Sequence, residues 1–374
     1  MERSEWRQID YLMFLIVLCL LAYGVAMVYS ATLQLDAGGG ISEMVARQGI
    51  YAAIGVCLLL AALYVDYRLL GNAYLVFYVL ALVGLVLVLV VGQVTHGSQR
   101  WINLGFFPLQ PSEPAKLLVV MTLARYLSDR EEDMHKFRYV LFSLAIVALP
   151  TALVFIQPDL ATSLTLPVIW ASMLLVSGAR WWHWIILIGS AVVAAPAAWN
   201  FLQPYQQERI LLFMGLMKDT ADKGLGSEQA LIAIGSGGVL GQGFTTGSQS
   251  QLHFVQVQYA DFIFTVLAEE WGFVGALALF VLFLGLVFRA VRVASVSRDG
   301  FGRLIATGIA VMFTFQVFVN VGMNIGVLPV AGIPLPFISY GGSSLLASYM
   351  AAGLLLNIGQ NRPLVMAKDA FEFE

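Results

Sequence analysis

Apolar runs long enough to cross a bilayer recur about ten times along this chain, and that repetition constrains the fold more than any single motif. They lie at roughly 10–30, 48–65, 72–92, 113–128, 138–156, 160–178, 182–200, 262–288, 303–327 and 341–359. Backbone inside hydrocarbon must satisfy its own polar groups, which leaves helices or closed barrels. None of the runs alternates as a barrel strand does. The expected fold is therefore all-α: a polytopic membrane protein of about ten transmembrane helices forming a single integral-membrane domain over residues 1–374. A soluble globule is excluded, because 59% of residues are hydrophobic, 11% are charged and mean hydropathy is +0.82. The first run, Tyr11–Tyr29, exceeds a signal-peptide core and reads as a retained span. Cys19 and Cys57 fall inside apolar runs and are expected to be inert core thiols.

The basic residues give an orientation. Of the 20 Lys and Arg, six fall on one side of the expected topology: Arg47, Arg100, Lys116, Arg209, Lys218 and Lys223. The remainder fall on the side that carries both ends of the chain. Positive charge accumulates in the cytoplasm, so both termini are expected there, and 201–260 becomes a large extracytoplasmic loop between helices 7 and 8. That segment is too long for a simple connector. Tyr205–Met217 mixes charged and apolar residues as an amphipathic surface helix does. Gly235-Ser-Gly-Gly238-Val-Leu-Gly241-Gln-Gly243 reads either as a flexible turn or as backbone brought close to a ligand. No Lys-Ser/Thr follows it, which excludes a phosphate-cradling Walker loop. Lys368–Glu374 reads as a disordered tail.

The informative polar residues gather toward the outer face. Asp261 stands where the long loop meets the eighth run. Partial burial there would raise its pKa and suit it to accept a proton; the plainer alternative is a helix N-cap. Glu269 and Glu270 lie about 12 Å deeper on the same helix, roughly 80° around from Asp261 and roughly opposite it, and acids that deep need partners. Glu113 and Lys116, three apart, either neutralise each other or line a polar cavity, with Pro114 suited to the first helical turn. Asp159 is either a cap or a second acid on that cavity. Arg100 and Arg209 are outward guanidiniums fit for phosphate or lipid headgroups. Pro329…Pro334-Leu-Pro336 and Ser339–Ser344 form a non-helical outer segment, tolerable only if buried or lining a cavity. The four histidines show no metal-ligand spacing. The one cofactor this pattern leaves room for is a divalent cation, Mg or Mn, between outer carboxylates and lipid phosphate.

In this order the motifs resemble the SEDS family of bacterial cell-wall polymerases. The matching stretches are Arg100-Trp-Ile…Gln110-Pro-Ser-Glu113-Pro-Ala-Lys116, Gln157-Pro-Asp159-Leu, Ala233-Ile-Gly-Ser-Gly-Gly238, Asp261-Phe-Ile-Phe…Ala268-Glu-Glu270, and Asn320-Val-Gly-Met…Leu335-Pro-Phe-Ile-Ser-Tyr-Gly-Gly-Ser-Ser344. Gly247–Leu252 and Pro329–Pro336 resemble the elongation branch more than the division branch. The chain departs from the pattern at Gln256-Val-Gln-Tyr-Ala-Asp261, where the family carries a Glu and a His, and at Ala161, where it carries Gly.

The resemblance implies a peptidoglycan glycosyltransferase that polymerises lipid II in the bacterial cytoplasmic membrane and releases undecaprenyl diphosphate. It also implies a class B penicillin-binding protein as partner within the elongation machinery, and no nucleic acid. Asp261 would be the general base. The substrate-binding set would be Arg100, Glu113, Lys116, Asp159, Arg209, Gln249, Ser343 and Ser344. Two other function classes fit the composition: a lipid II flippase and a non-catalytic scaffold.

Overall fold

A computed structural model of the chain describes residues 9–33, 43–95, 98–103, 105, 107–217, 225–251 and 258–360. The tail Lys368–Glu374, the departure at Gln256 and the basic residues Lys218 and Lys223 lie outside these residues. In chain order the described helices are α1 (Tyr11–Thr32), α2 (Glu43–Tyr64), α3 (Tyr67–Asn72), α4 (Tyr74–Val91), α5 (Ser112–Ser128), α6 (Phe137–Ile156), α7 (Leu160–Val176), α8 (Trp181–Trp199), α9 (Pro204–Phe213), α10 (Leu225–Gly237), α11 (Ser248–Gln251), α12 (Ile263–Val296), α13 (Gly300–Asn324) and α14 (Gly342–Gln360).

All the expected runs are helical, and eight of these helices are long and apolar enough to cross a membrane. The exceptions among the expected spans are α5 and α7, each 17 residues long. Both lie inside the bundle. α5 packs on α4, α6, α7, α13 and α14, and it buries Glu113 and Lys116. α13 and α14 are the most enclosed of the long helices, and α14 lies along α2. Apolar side chains of α4 and α8, such as Val90 and Val193, face outward as lipid-facing positions do. Cys19 and Cys57 do so as well: both are exposed on α1 and α2, so the expected core placement is corrected. A residue inside an apolar run can face lipid as readily as the core, because the run is apolar all round.

A small antiparallel sheet was not legible in the sequence. Strands β1 (Gln93–Thr95), β2 (Ser98–Asn103) and β3 (Pro108–Leu109) pair in the order β1-β2-β3 between α4 and α5. Their runs are too short for a period-2 pattern. β2 carries Arg100.

The 201–260 segment is more than an outer loop. α12 is broken at Gly272, whose φ of 65° lies outside helical space. At the break the helix exchanges its own backbone bonds for bonds to residues 238–243. Phe273 N–H donates to the Gly238 carbonyl (2.9 Å) and Val274 N–H to that of Val239 (3.1 Å). The carbonyls of Glu269 and Glu270 accept from the N–H groups of Gln242 (3.0 Å) and Gly243 (2.9 Å). The glycine-rich stretch, read above as flexible turn or ligand cradle, is thus a hairpin tip docked onto a broken helix about 12 Å below Asp261. The glycines make this approach possible: a Cβ on Gly241 would lie 2.1 Å from the Glu270 carbonyl oxygen, and one on Gly272 would lie 2.3 Å from the Gly241 nitrogen. Val239 and Leu240 at the tip are exposed, as lipid-facing side chains are.

Gly272→Ala must therefore disrupt both a left-handed backbone and a backbone–backbone contact, and it should destabilise the fold by at least about 2 kcal/mol. Gly49→Ala, where an added Cβ meets nothing within 4 Å, should leave stability unchanged or slightly raised. Thermal unfolding of the detergent-solubilised protein reads both.

Candidate active site

Asp261 closes a turn over 258–262 that leads into α12. It is not the helix cap: Phe262 holds that position without a side-chain cap bond. Three successive carbonyls of the turn are fastened from outside it. Tyr259 O accepts from Tyr340 N–H (2.9 Å) and Ala260 O from the Ser339 hydroxyl (2.7 Å). Asp261 O accepts from the side-chain amides of Asn320 and Asn324, each at 3.1 Å. Among the described residues no hydrogen bond reaches the Asp261 carboxylate itself. A Cβ on Gly332 would lie 3.6 Å from Asp261 Oδ2, so a bare backbone stretch faces the acid. Asp261 as a residue is half-buried, and protein crowds around its carboxyl group. That desolvation lifts its pKa to about 6, with Asp159 raising it further and Arg209 and Arg100 opposing the rise.

Beside this turn lies a cavity of about 270 Å³. Its floor is apolar, formed by Leu160, Leu164, Phe315, Phe318, Val319 and Leu328, and Arg100 and Arg209 stand on its wall. Asp261 is not among the lining residues, but Val330, Ala331 and Ile333, which flank Gly332, are. α9 roofs the cavity. It begins at Pro204, preceded by a Gln203/Gln206 capping box, and it ends sooner than the expected Tyr205–Met217 helix. Tyr205 and Gln206 donate to the Pro158 carbonyl at 2.7 and 3.3 Å, and the Arg100 guanidinium bonds the same oxygen. At the other edge Arg209 Nη1 donates to the Val330 carbonyl (3.3 Å). α9 is therefore tied to both rims, rather than lying free on a membrane surface.

Asp159 is the helix cap, and it is buried rather than among the residues that line the cavity. Its carboxylate caps α7 through Thr162 N–H (3.2 Å), and it also faces Arg100 Nη1 (3.8 Å) and Gln110 Nε2 (3.5 Å). Burial pushes its pKa up, against the pull of Arg100. Glu113 and Lys116 form a buried ion pair at 2.7 Å and do not line the cavity, although Glu113 lies close enough to act on Asp159 electrostatically. Ser343 is buried and accepts from Gln110 N–H (2.8 Å), and Ser344 is buried beside it in the first turn of α14. These side chains support the cavity from behind.

Gln249 lies elsewhere. Its backbone N–H, with that of Ser250, donates to the Glu269 carboxylate at 2.7 and 2.9 Å. Glu269 thus anchors the turn at α11, and Glu270 accepts from the Ser30 hydroxyl of α1. Both deep acids are structural. The run of Ser and Gln after Gly247, rich in donors, was the available signal. Asn320, Ser339 and Tyr205 fall inside stretches singled out in the sequence but without a role for their side chains, and Asn324 falls outside them; none of these side chains titrates in the working range. Among the described residues no group of three or more His, Cys, Asp or Glu could hold a metal ion.

A family model described as cell cycle protein, uniting FtsW, RodA and SpoVE, matches residues 10–363. The peptidoglycan glycosyltransferase MrdB of Escherichia coli K12 is 36% identical over 371 residues, which is 97% of each chain. Among solved structures, a chain of a peptidoglycan synthase complex, studied for the coordination of polymerization and crosslinking, superposes with a TM-score of 0.80 at 31% identity, covering 95% of this chain and 99% of that one. The rod shape determining protein RodA of Thermus thermophilus superposes with a TM-score of 0.69 at 29% identity, covering 95% and 97%. With nearly its whole length matched in sequence and in fold, the chain belongs to the FtsW/RodA/SpoVE, or SEDS, family.

Proposed function

We propose that this protein is a peptidoglycan glycosyltransferase that polymerises lipid II at the outer face of the bacterial cytoplasmic membrane, with Asp261 as general base. The observation that carries the reading is the isolated Asp261 carboxylate. Its backbone is fastened at three points, no donor among the described residues occupies its oxygens, and its pKa of about 6 suits a base near neutral pH. In the reaction the 4-hydroxyl oxygen of the acceptor N-acetylglucosamine attacks the anomeric carbon of the donor sugar. Its proton passes to Asp261. The bond from that carbon to the diphosphate breaks, and undecaprenyl diphosphate leaves with the electron pair.

The leaving group carries the charge that most needs stabilising. Arg100 and Arg209, set on the wall of an otherwise apolar cavity, match an anionic headgroup with a polyprenyl chain attached. Charge asymmetry supports cytoplasmic termini, which puts Asp261 and the cavity on the outer side. A class B penicillin-binding protein, acting with the elongation machinery, is the proposed partner. The relative solved within a peptidoglycan synthase complex supports this, and MrdB and RodA among the relatives support an elongation role.

Asp261→Asn should lower glycan-chain formation from purified lipid II by at least about 100-fold while leaving the melting temperature near that of the native protein. Native activity in that variant would sink the base assignment. Scrambling of labelled lipid II without polymer would favour a flippase, and neither activity would favour a scaffold. Because the base form is the deprotonated carboxylate, kcat/KM should rise with pH through about 6 and level off above it. Arg209 favours the ionised carboxylate. Arg209→Ala should therefore move that acid limb to higher pH and lower kcat/KM, by roughly 10- to 100-fold if the guanidinium also meets the leaving diphosphate.

A further inference from the structure

The carbonyl of Asp261 is held by two side chains of one helix, and that arrangement has no evident purpose in packing alone. Asn320 and Asn324 are one turn apart on α13 and fully buried. Asn320 Nδ2 donates to the Asp261 carbonyl (3.1 Å) and to the Ile333 carbonyl (2.7 Å). Asn324 Nδ2 donates to the same Asp261 carbonyl (3.1 Å) and to the Asn320 carbonyl (2.7 Å), while its Oδ1 accepts from the Thr265 hydroxyl at 2.6 Å. Carbonyl oxygens can only accept, so the orientation of both amides is fixed. One pair of amides thus clamps the turn that bears Asp261, the first turn of α12, and the Gly332–Ile333 backbone that faces the acid.

We propose that Asn320 and Asn324, locked by Thr265, are positioning residues that set where the Asp261 carboxylate stands relative to the cavity wall. The inference rests on the reading of Asp261 as the base. Geometry is its warrant. Among the described residues no hydrogen bond holds the carboxylate itself, while its backbone carbonyl takes two, so its position depends on its backbone. A displacement of about 1 Å at a reacting group can cost on the order of 100-fold in rate. Apolar packing could have filled the same space without burying two amides, since a buried amide adds little net stability even when fully bonded.

The test is steady-state polymerisation of labelled lipid II by the full-length protein in liposomes, with Asn324→Leu, Thr265→Val and Asp261→Asn compared with the native chain across pH. Asn324→Leu keeps the number of side-chain heavy atoms, with a bulkier branched end, and removes both donors. It should lower kcat by roughly 10- to 100-fold with KM for lipid II within about twofold. Its acid limb should move down, because the released carboxyl gains water. The charged groups facing Asp261 are Arg209 on α9, Asp159 before α7 and Arg100 on β2, all unchanged in this variant. Thr265→Val removes only the lock on Asn324, should fold where a harsher change does not, and should show the same two effects at smaller size. A lowered melting temperature with native kcat and a native acid limb in both variants would reduce the amides to a structural role and overturn the proposal. Full activity in Asp261→Asn would overturn the base assignment itself, together with this inference. A native-like Asn324→Leu beside an inactive Asp261→Asn would overturn this inference alone.

Discussion

Hydrocarbon offers a backbone no hydrogen-bond partner, and the irregular parts of this molecule are organised around that constraint. A break in a membrane helix exposes carbonyls and N–H groups that would each cost several kcal/mol if left bare. At Gly272 the protein meets that cost with a hairpin tip. Two bonds that a continuous helix would make are replaced by four bonds to residues 238–243. The break and the hairpin therefore require each other, and neither could be altered alone. Glu269, one turn before the break, extends the same logic to side chains by accepting the free N–H groups at the start of α11.

The outer end of α12 follows the same rule toward a different result. The turn over 258–262 and the segment over 325–341 are both non-helical, and each satisfies the other: Tyr340 N–H, the Ser339 hydroxyl and the two asparagine amides take up the carbonyls of 259–261. Among the described residues the Asp261 carboxylate takes no part in these bonds. An acid with crowded surroundings and, among the described residues, no hydrogen bond to its oxygens is costly to keep. Such a cost is characteristic of a functional group, which must hold its bonding capacity in reserve for a substrate.

The sequence disclosed the helices because span length and apolarity are local properties, readable without neighbours. It also pointed to Asp261, Asp159 and Arg209, because charge near a membrane boundary stands out against an apolar background. What it hid was pairwise. Nothing in Gly237–Gly243 says that its partner is the backbone of 269–274, since glycines that permit close approach look the same as glycines that permit flexibility. Neither Asn320, which opens a family motif, nor Asn324 carries a legible role in the sequence, because an amide on an apolar helix gains meaning only from what it touches. Glu113 and Lys116 left two alternatives open, mutual neutralisation or a polar cavity, and in the fold they pair with each other.

The charges at the cavity also fix how binding and chemistry are linked. Arg100 and Arg209 oppose Asp159 and Asp261 there, so the group is near balance before any ligand arrives. A diphosphate seated against the arginines would draw their field away from Asp261 and add negative charge of its own. Both changes raise the affinity of that carboxylate for a proton. On the proposed reading of Asp261 as base, the carboxylate would thus gain proton affinity when a donor with an anionic leaving group is in place, and relax toward its resting value once the diphosphate departs. An arrangement of two arginines between an acid and an anion couples occupancy to basicity without any moving part, and it depends only on the distances that the clamp on the 258–262 turn preserves.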